Sequence, residues 1–466
     1  MEIKYNKKEI DNASEHITVL RFKEETGTYL RKTEGGLNEL FIEKPKADNL
    51  DLQRAITTIR QAVRTAKKLE ILNLGISFKS IKKVIDDGGM SEEDGGKLFA
   101  LNSQMANFSS DKKKSDERSR EKSIKTLTVF DGPSNSFKKG VQEGAVIAEE
   151  VNKSRDLCNT PGSELRPEEL VRKAKEAAKN KNIEVSVLNK KKIEELGMGG
   201  ILGVASGSDN GPYVIILSYK GASKSKNPVA LAGKGITFDT GGINIKPGNS
   251  LAGMHMDMSG AAAVIHTVTT AARLKLKINL VAVVAAVENV IATKSYKPGD
   301  IITTMSGKTV EIANTDAEGR LLLADTLTYL EKFKPEKVID VATLTKASVV
   351  ALGDKYSALF CQDEKLRKDL LRAGEMTGER LWHMPMGYEY ENEMKGVYAD
   401  LTNANLKASG GGASTAAAFL GSFVNYTGSW AHIDIAPRME AGEHDQLAKG
   451  SLGSPISTLV EYLKNS

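Results

Sequence analysis

Pro228-Val-Ala-Leu-Ala232-Gly-Lys234-Gly-Ile-Thr-Phe-Asp239-Thr-Gly-Gly-Ile-Asn-Ile-Lys246-Pro-Gly248 decides how the rest of this chain is read. An apolar run, Pro228 to Ala232, opens into a glycine-rich stretch carrying Lys234, Asp239 and Lys246, and Met254-His-Met-Asp257-Met-Ser-Gly260 follows closely. A strand that ends in glycine-rich turns is where open α/β sheets build their sites. Ala232-Gly-Lys234-Gly is not a phosphate loop. That loop needs glycine, four residues, Gly-Lys and then Ser or Thr, whereas Gly235 follows Lys234 and no glycine stands at the required position upstream.

Outward from this stretch, apolar runs alternate with amphipathic ones. Strands are expected at Ile17 to Phe22, Leu69 to Ile76, Ile124 to Phe130, Tyr213 to Ser218, Val229 to Ala232, Leu280 to Val287 and Lys337 to Thr343. Helical spacing covers Leu50 to Lys68, Ser136 to Asp156, Arg166 to Lys179 (opened by Pro167), Ala261 to Leu274 and Arg320 to Phe333. This order predicts an α/β protein whose largely parallel or mixed sheet carries helices on both faces. We expect a smaller α/β domain over 1–140, a linking helix over 141–160 and a larger catalytic domain over 161–466.

With 466 residues, 40% of them hydrophobic and 27% charged, the chain is long enough for two buried cores. The net charge of +5 is modest for that length and does not demand nucleic acid. Asp111 to Lys125 is dense in both charge signs, which reads as a solvated face or loop, with nucleic-acid contact as the alternative. Two cysteines, Cys158 and Cys361, are too few and too far apart for a disulfide framework or a thiolate metal site. The first ten residues mix charges and lack the apolar core of an export signal, and the most apolar stretch, Ile278 to Val287, is strand-length. A cytoplasmic address is the expectation.

The second decisive stretch is Glu311-Ile-Ala-Asn-Thr-Asp316-Ala-Glu318-Gly-Arg320-Leu-Leu-Leu323. Taken alone it reads as a helix entrance, with Asn314, Thr315 or Asp316 as the cap. Joined to the first stretch it gives four carboxylates, Asp239, Asp257, Asp316 and Glu318, which cannot crowd together unpaired. Two divalent cations would balance them. Hard oxygen donors suit Mg, Mn or Zn, and two such ions roughly 3.5–4 Å apart are a recurrent device for activating water. Lys246 and Arg320 remain as cations able to face a developing oxyanion. Lys234 could ligate a metal only after losing its proton.

Other hydrolytic signatures are lacking. None of the six histidines forms a zinc-helix pair, and Ser208 between Gly207 and Gly211 lacks the spacing of a nucleophile elbow. His255 would share the face of Asp257 if that segment were extended, and His432 reads as a buried strand histidine. The residues alone reach two-metal hydrolysis, so phosphoester cleavage stays open beside peptide cleavage.

The two stretches, with Asn159-Thr-Pro161, Tyr296-Lys-Pro-Gly-Asp300, Asp340-Val-Ala-Thr-Leu-Thr345, Gly410-Gly-Gly-Ala-Ser-Thr-Ala-Ala-Ala-Phe419 and Trp430-Ala-His-Ile-Asp-Ile-Ala436, resemble the leucyl (cytosol) aminopeptidase family, di-zinc exopeptidases that assemble as hexamers. The resemblance runs from about residue 140 to the C terminus. It implies removal of N-terminal residues, leucine-like or of broad type, from peptide substrates. It implies Asp239 and Glu318 bridging two metals, Asp316 completing one site, and Lys234 and Asp257 completing the other. Lys246 would polarise the scissile carbonyl, and Arg320 would hold a bicarbonate ion acting as base. Met254, Thr343 and Lys346 would line the pocket for the first side chain. The family usually has glycine at the position of Lys346, so a lysine there would narrow the pocket, invite an acidic side chain, or turn outward to solvent. A second departure is Leu452-Gly-Ser-Pro455, where Thr-Gly-Arg-Pro is commoner. Some bacterial relatives bind DNA, which leaves a second role open.

Overall fold

The computed structural model describes every residue except 25–26, 35, 45–50, 223–226, 407–409 and 425–428. The chain forms two units, one of Met1–Asn152 with Ala441–Gly450 and the other of Lys153–Glu440 with Ser451–Ser466.

The first unit holds β1 (Glu2–Tyr5), β2 (Thr18–Lys23), β3 (Tyr29–Lys32), β4 (Asn38–Glu43), β5 (Asn73–Ser77) and β6 (Thr126–Phe130), in the sheet order β1-β6-β5-β2-β4-β3. All pairings are parallel except the edge pair β3–β4. Helices α1 (Leu52–Lys68), α2 (Phe78–Asp87) and α3 (Glu92–Asn107) belong to this unit, and the unit boundary falls within α4 (Asn135–Cys158). The Asp51 carboxylate caps α1 by accepting from Arg54 N at 2.8 Å, and Ala55, Ile56, Ala62, Val63 and Ala66 give the helix its buried face. Helices α3 and α4 meet backbone to backbone. A Cβ on Gly140 would lie 1.8 Å from the carbonyl oxygen of Glu93, so only glycine fits there.

The charge run Asp111 to Lys125 is partly paired within itself: Lys114 faces Asp111 at 3.7 Å, Arg118 faces Asp116 at 3.2 Å and Arg120 faces Glu117 at 3.3 Å, while Lys122 reaches Glu70 at 2.5 Å. These pairs between largely exposed side chains are those of a solvated face.

In the second unit, β7 (Ile183–Leu188), β8 (Tyr213–Lys220), β9 (Val229–Asp239), β10 (Asn279–Asn289), β13 (Lys337–Ala342), β14 (Ser357–Phe360), β15 (Leu381–His383) and β17 (Ser429–Asp434) form one mixed sheet. Its order is β15-β14-β17-β13-β9-β10-β8-β7, with a parallel centre and antiparallel pairings at β14–β17, β10–β8 and β8–β7. A small three-stranded sheet joins β11 (Ile301–Thr303), β12 (Thr309–Glu311) and β16 (Leu401–Thr402). The helices are α5 (Pro167–Ala178), α6 (Lys190–Glu195), α7 (Gly199–Ala205), α8 (Ser259–Arg273), α9 (Glu318–Leu330), α10 (Lys346–Leu352), α11 (Glu364–Thr377), α12 (Tyr388–Glu393), α13 (Gly412–Gly421) and α14 (Ile456–Lys464). Central strands β9 and β10 are buried almost throughout, which requires cover on both faces. Helices α5 and α8 pack on these strands with α14 against α8, and α7 and α9 pack on them with α13 against α9.

The decisive stretch differs from expectation in one respect. Strand β9 does not stop at Ala232 but continues to Asp239, because β10 pairs with it as far as Asn289↔Asp239. Lys234 therefore stands inside a central strand, not in a turn. Registers Val341↔Gly233 and Ala342↔Asp434 bring the C-terminal ends of β9, β13 and β17 to the same edge. That edge is where parallel sheets bind ligands. Among the described residues no helix is long and apolar enough to cross a membrane.

Candidate active site

Five polypeptide segments converge at this edge. The ammonium of Lys234, 3% exposed, lies 2.9 Å from Asp257 Oδ2 and 2.7 Å from Glu318 Oε1, and donates to the Thr343 carbonyl at 2.9 Å. Lys246, on the loop after β9, lies 2.7 Å from Asp239 Oδ2 and 2.5 Å from Asp316 Oδ1. Asp257 ends the 3-10 turn Met254–Met256, and Thr343 Oγ1 donates to its Oδ1 at 2.6 Å. Glu318 is the first residue of α9. The next residue has to be glycine, since a Cβ on Gly319 would lie 2.7 Å from Lys234 Cε.

The simple helix-cap reading of Asn314, Thr315 and Asp316 does not hold. Ala317 is the N-cap of α9, with no side-chain cap. The three polar residues are engaged elsewhere. Asn314 Oδ1 accepts from Asp316 N at 2.8 Å, Thr315 Oγ1 donates to the Gly241 carbonyl at 2.6 Å, and Asp316 meets Lys246. Carboxylate oxygens of Asp239, Asp316 and Glu318 lie within 4.8 Å of one another, a grouping able to hold a metal ion.

Electrostatically the cluster is over-supplied with negative charge. Burial pushes the Asp257 carboxyl up to about 8; Lys234 opposes this, but Asp239 and Glu318 add to it. Burial and the Glu318 charge push Asp239 up to about 6, against the pull of Lys246 and Lys234. Asp316 is raised by burial and by Glu318. Glu318 goes the other way: burial would raise it, but Lys234 and Lys246 hold it below its ordinary value. Burial would strip Lys234 of its proton, yet Asp257, Glu318 and Asp239 more than reverse that, so its ammonium is held charged. To give a metal its lone pair, it would have to release that proton.

These residues fit divalent cations on two observations. Two ammoniums are wedged between four carboxylates, as stand-in positive charges in an oxygen-rich cage. Asp257 Oδ2, though close to Lys234, accepts no aligned hydrogen bond. Arg320 has an independent signature. It is 9% exposed, donates from Nη1 to the Asn403 carbonyl at 2.6 Å, leaves Nε without a partner and is pushed down to about 10 by burial. A buried guanidinium with an unused donor suits a small anion.

The cage opens into a cleft of about 420 Å³ whose walls include Met254, Thr343, Lys346, Val349, Ala436 and Met439. The lysine side chain thus borders the cleft. His255 sits in the 3-10 turn rather than an extended segment, so it does not share a strand face with Asp257. His432 is buried against Asp340, Nδ1 to Oδ1 at 2.5 Å, and stacks on Phe360.

Several supporting residues lie outside the two decisive stretches. Asn289 Nδ2 donates to Asp239 Oδ1 at 2.8 Å and to the Thr315 carbonyl at 3.1 Å, and Tyr296 Oη donates to that carbonyl at 2.7 Å. Asn403 Oδ1 accepts from Ala313 N and Asn314 N at 2.8 and 3.1 Å. Asp434, fully buried at the end of β17, accepts from Leu344 N, Thr345 N, Thr345 Oγ1, Ser348 Oγ and Ala436 N at 2.6 to 3.0 Å. It clamps the segment that carries Thr343 and Lys346.

Comparison with known proteins identifies the family. The profile described as "Cytosol aminopeptidase family, catalytic domain" matches residues 152–460. A probable cytosol aminopeptidase of Chlorobaculum tepidum is 45% identical over 330 residues, 71% of this chain and 65% of that protein, just under two thirds of its length. The cytosol aminopeptidase of Pseudomonas aeruginosa is 46% identical over 340 residues, 72% of this chain and 68% of that protein. Among solved structures, the bottromycin maturation enzyme BotP has a TM-score of 0.85 at 27% identity, covering 97% of this chain and 99% of that one. BotP is also known in complex with Mn. None of these relatives is named for nucleic-acid binding. With the family profile matching over the whole sheet that carries the carboxylate cage, this chain belongs to the cytosol aminopeptidase family, metallopeptidases of the hydrolase class, and contains that family's catalytic domain.

Proposed function

We propose that this protein releases single amino acids from the N termini of peptides by metal-assisted hydrolysis. The observation that carries the reading is the cage itself, four carboxylates gathered at the sheet edge with two ammoniums among them. Asp239, Asp257, Asp316 and Glu318, with Lys234 as an uncharged amine, would hold two divalent ions, and the Mn complex of BotP makes Mn a candidate beside Zn and Mg. Such ions, when bound, supply water activation at neutral pH and carbonyl polarisation.

The chain's own residues supply the rest. Attack of water on the carbonyl carbon puts negative charge on the carbonyl oxygen, and the ammonium of Lys246, facing the cleft, is positioned to stabilise it. The C–N bond then breaks, and the departing nitrogen takes up the proton that water gave up. Arg320, buried and with Nε unused, would hold a bicarbonate ion whose chemistry is that of a proton acceptor. Met254, Thr343 and Lys346 would border the first side chain. A hexamer is the assembly that the family resemblance implies.

The test is hydrolysis of aminoacyl anilides against phosphate esters by protein reconstituted with Mn or Zn, with and without bicarbonate. We expect anilide cleavage that a chelator abolishes and bicarbonate stimulates. Cleavage of phosphate esters alone would overturn the reading.

A further inference from the structure

The cleft beside the cage carries a third lysine whose situation differs from that of the other two. Lys234 and Lys246 are each shared between two carboxylates at 2.5 to 2.9 Å. Lys346 borders the same cleft, is exposed, and among the described residues its ammonium has neither an ion pair nor a hydrogen bond. It is the charge in this cleft still available to a ligand.

Its position is not that of a wandering surface side chain. Asp434 takes two backbone N–H groups and two hydroxyls from Leu344, Thr345 and Ser348, and Thr345 Oγ1 caps α10 by accepting from Ser348 N at 3.1 Å. The backbone that presents Lys346 is thereby held from both sides. Beyond the cage residues, the cleft lining has an apolar part, Met254, Val349, Ala436 and Met439, beside the hydroxyls of Ser250, Thr343 and Thr345. An apolar wall with one uncompensated ammonium is complementary to a side chain with an aliphatic stem and an anionic end.

We propose that Lys346 makes this cleft select peptides whose first residue is acidic. The proposal rests on the aminopeptidase reading and names its substrate class. Glutamate suits the wall better than glutamine of the same shape, because only the charged group pairs with the ammonium. A lysine at that position is disfavoured by like charge.

The experiment uses the full-length, Mn-loaded protein and the 4-nitroanilides of Glu, Gln, Leu and Lys, in which only the first side chain changes. We expect kcat/KM for Glu to exceed that for Gln by about tenfold at low ionic strength, and the ratio to shrink as salt is added. Lys346→Met should bring Glu and Gln to parity, and Lys346→Glu should favour the Lys substrate over Gln. Because Lys346 is exposed and makes no tertiary bond, both variants should fold, which a thermal melt of each checks. A wild-type preference for Gln or Leu over Glu, or a Glu:Gln ratio unchanged in Lys346→Met, would overturn the proposal while leaving the aminopeptidase reading intact. No turnover on any of the four would overturn both.

Discussion

Both units bury a carboxylate among cations, with opposite outcomes. In the first unit Glu39, 4% exposed, meets Arg21 Nε at 3.0 Å and Arg31 Nη2 at 2.5 Å. Burial would raise its pKa, but the bonds to Arg31 and Arg21 carry it below the ordinary value. In the second unit Asp257, equally buried, has Lys234 at 2.9 Å and is nevertheless pushed up to about 8 by burial, with Asp239 and Glu318 adding to it. A single acid between two guanidiniums is electrostatically complete within the chain. Four acids sharing two ammoniums are not, and such a deficit of positive charge marks a place built for something the polypeptide does not supply.

This contrast can be broken experimentally. The largest effect is expected at Glu318, which faces Lys234 and lies within reach of both other metal-grouped acids. Glu318→Ala should lower both bound metal, read by elemental analysis, and turnover by about 1000-fold; full occupancy with normal rates would remove the cage from catalysis. Lys246→Ala should keep its metal but lose about 100-fold in kcat, because the contact it offers strengthens only as the oxyanion forms. An unchanged kcat with raised KM would make Lys246 a simple substrate contact.

Asp434→Ala removes the acceptor of five donors around a buried site and should cost about 3 kcal/mol in urea unfolding. A cost below ~0.5 kcal/mol would show that the Thr343–Lys346 segment is held by other means. The smallest effect sharpens the other side of the comparison. Glu39→Gln should leave activity untouched and lower stability by about 1 kcal/mol near neutral pH, a modest figure because Arg31 is 57% exposed and screened by solvent. A depressed carboxyl stabilises above its unfolded pKa and loses that contribution as pH falls through the folded pKa. The wild-type advantage should therefore fade below about pH 4 in chemical unfolding curves. An advantage that persists into acid would mean that Glu39 contributes by packing instead.

The alternation of apolar and amphipathic runs made the α/β class and most of the second unit's central elements legible. Expected helices over Ser136 to Asp156 and Arg166 to Lys179 appear as Asn135–Cys158 and Pro167–Ala178. Boundaries slipped where tertiary pairing overrode local chemistry. Glycines after Ala232 suggested a turn, yet β10 and β13 on either side draw the segment into the sheet. Helix α3 escaped notice because Gly95-Gly96 looks like a breaker, whereas Gly96 serves the close crossing with α4 and Gly95 lies against the Ile85 side chain of α2.

The acids and lysines of the cage were readable as two dense clusters. Their supports were not. Asn289 and Asn403 come from separate elements and belong to no local pattern of charge; Asp434 lies in the Trp430 to Ala436 stretch, but like them it acts through bonds that exist only once the strand ends meet. Arg320 was legible as a cation two residues from Glu318, whereas its burial with an unused Nε is a property of packing.

The most direct measurement is a metal-soaked crystal examined by anomalous scattering at the manganese edge, together with native mass spectrometry of the same preparation. Two ions per chain, ringed by oxygens of Asp239, Asp257, Asp316 and Glu318, is the expected result. Ions bound elsewhere at saturating manganese, or a cage that keeps both lysines between its acids and admits none, would contradict the assignment of this cluster as the metal centre.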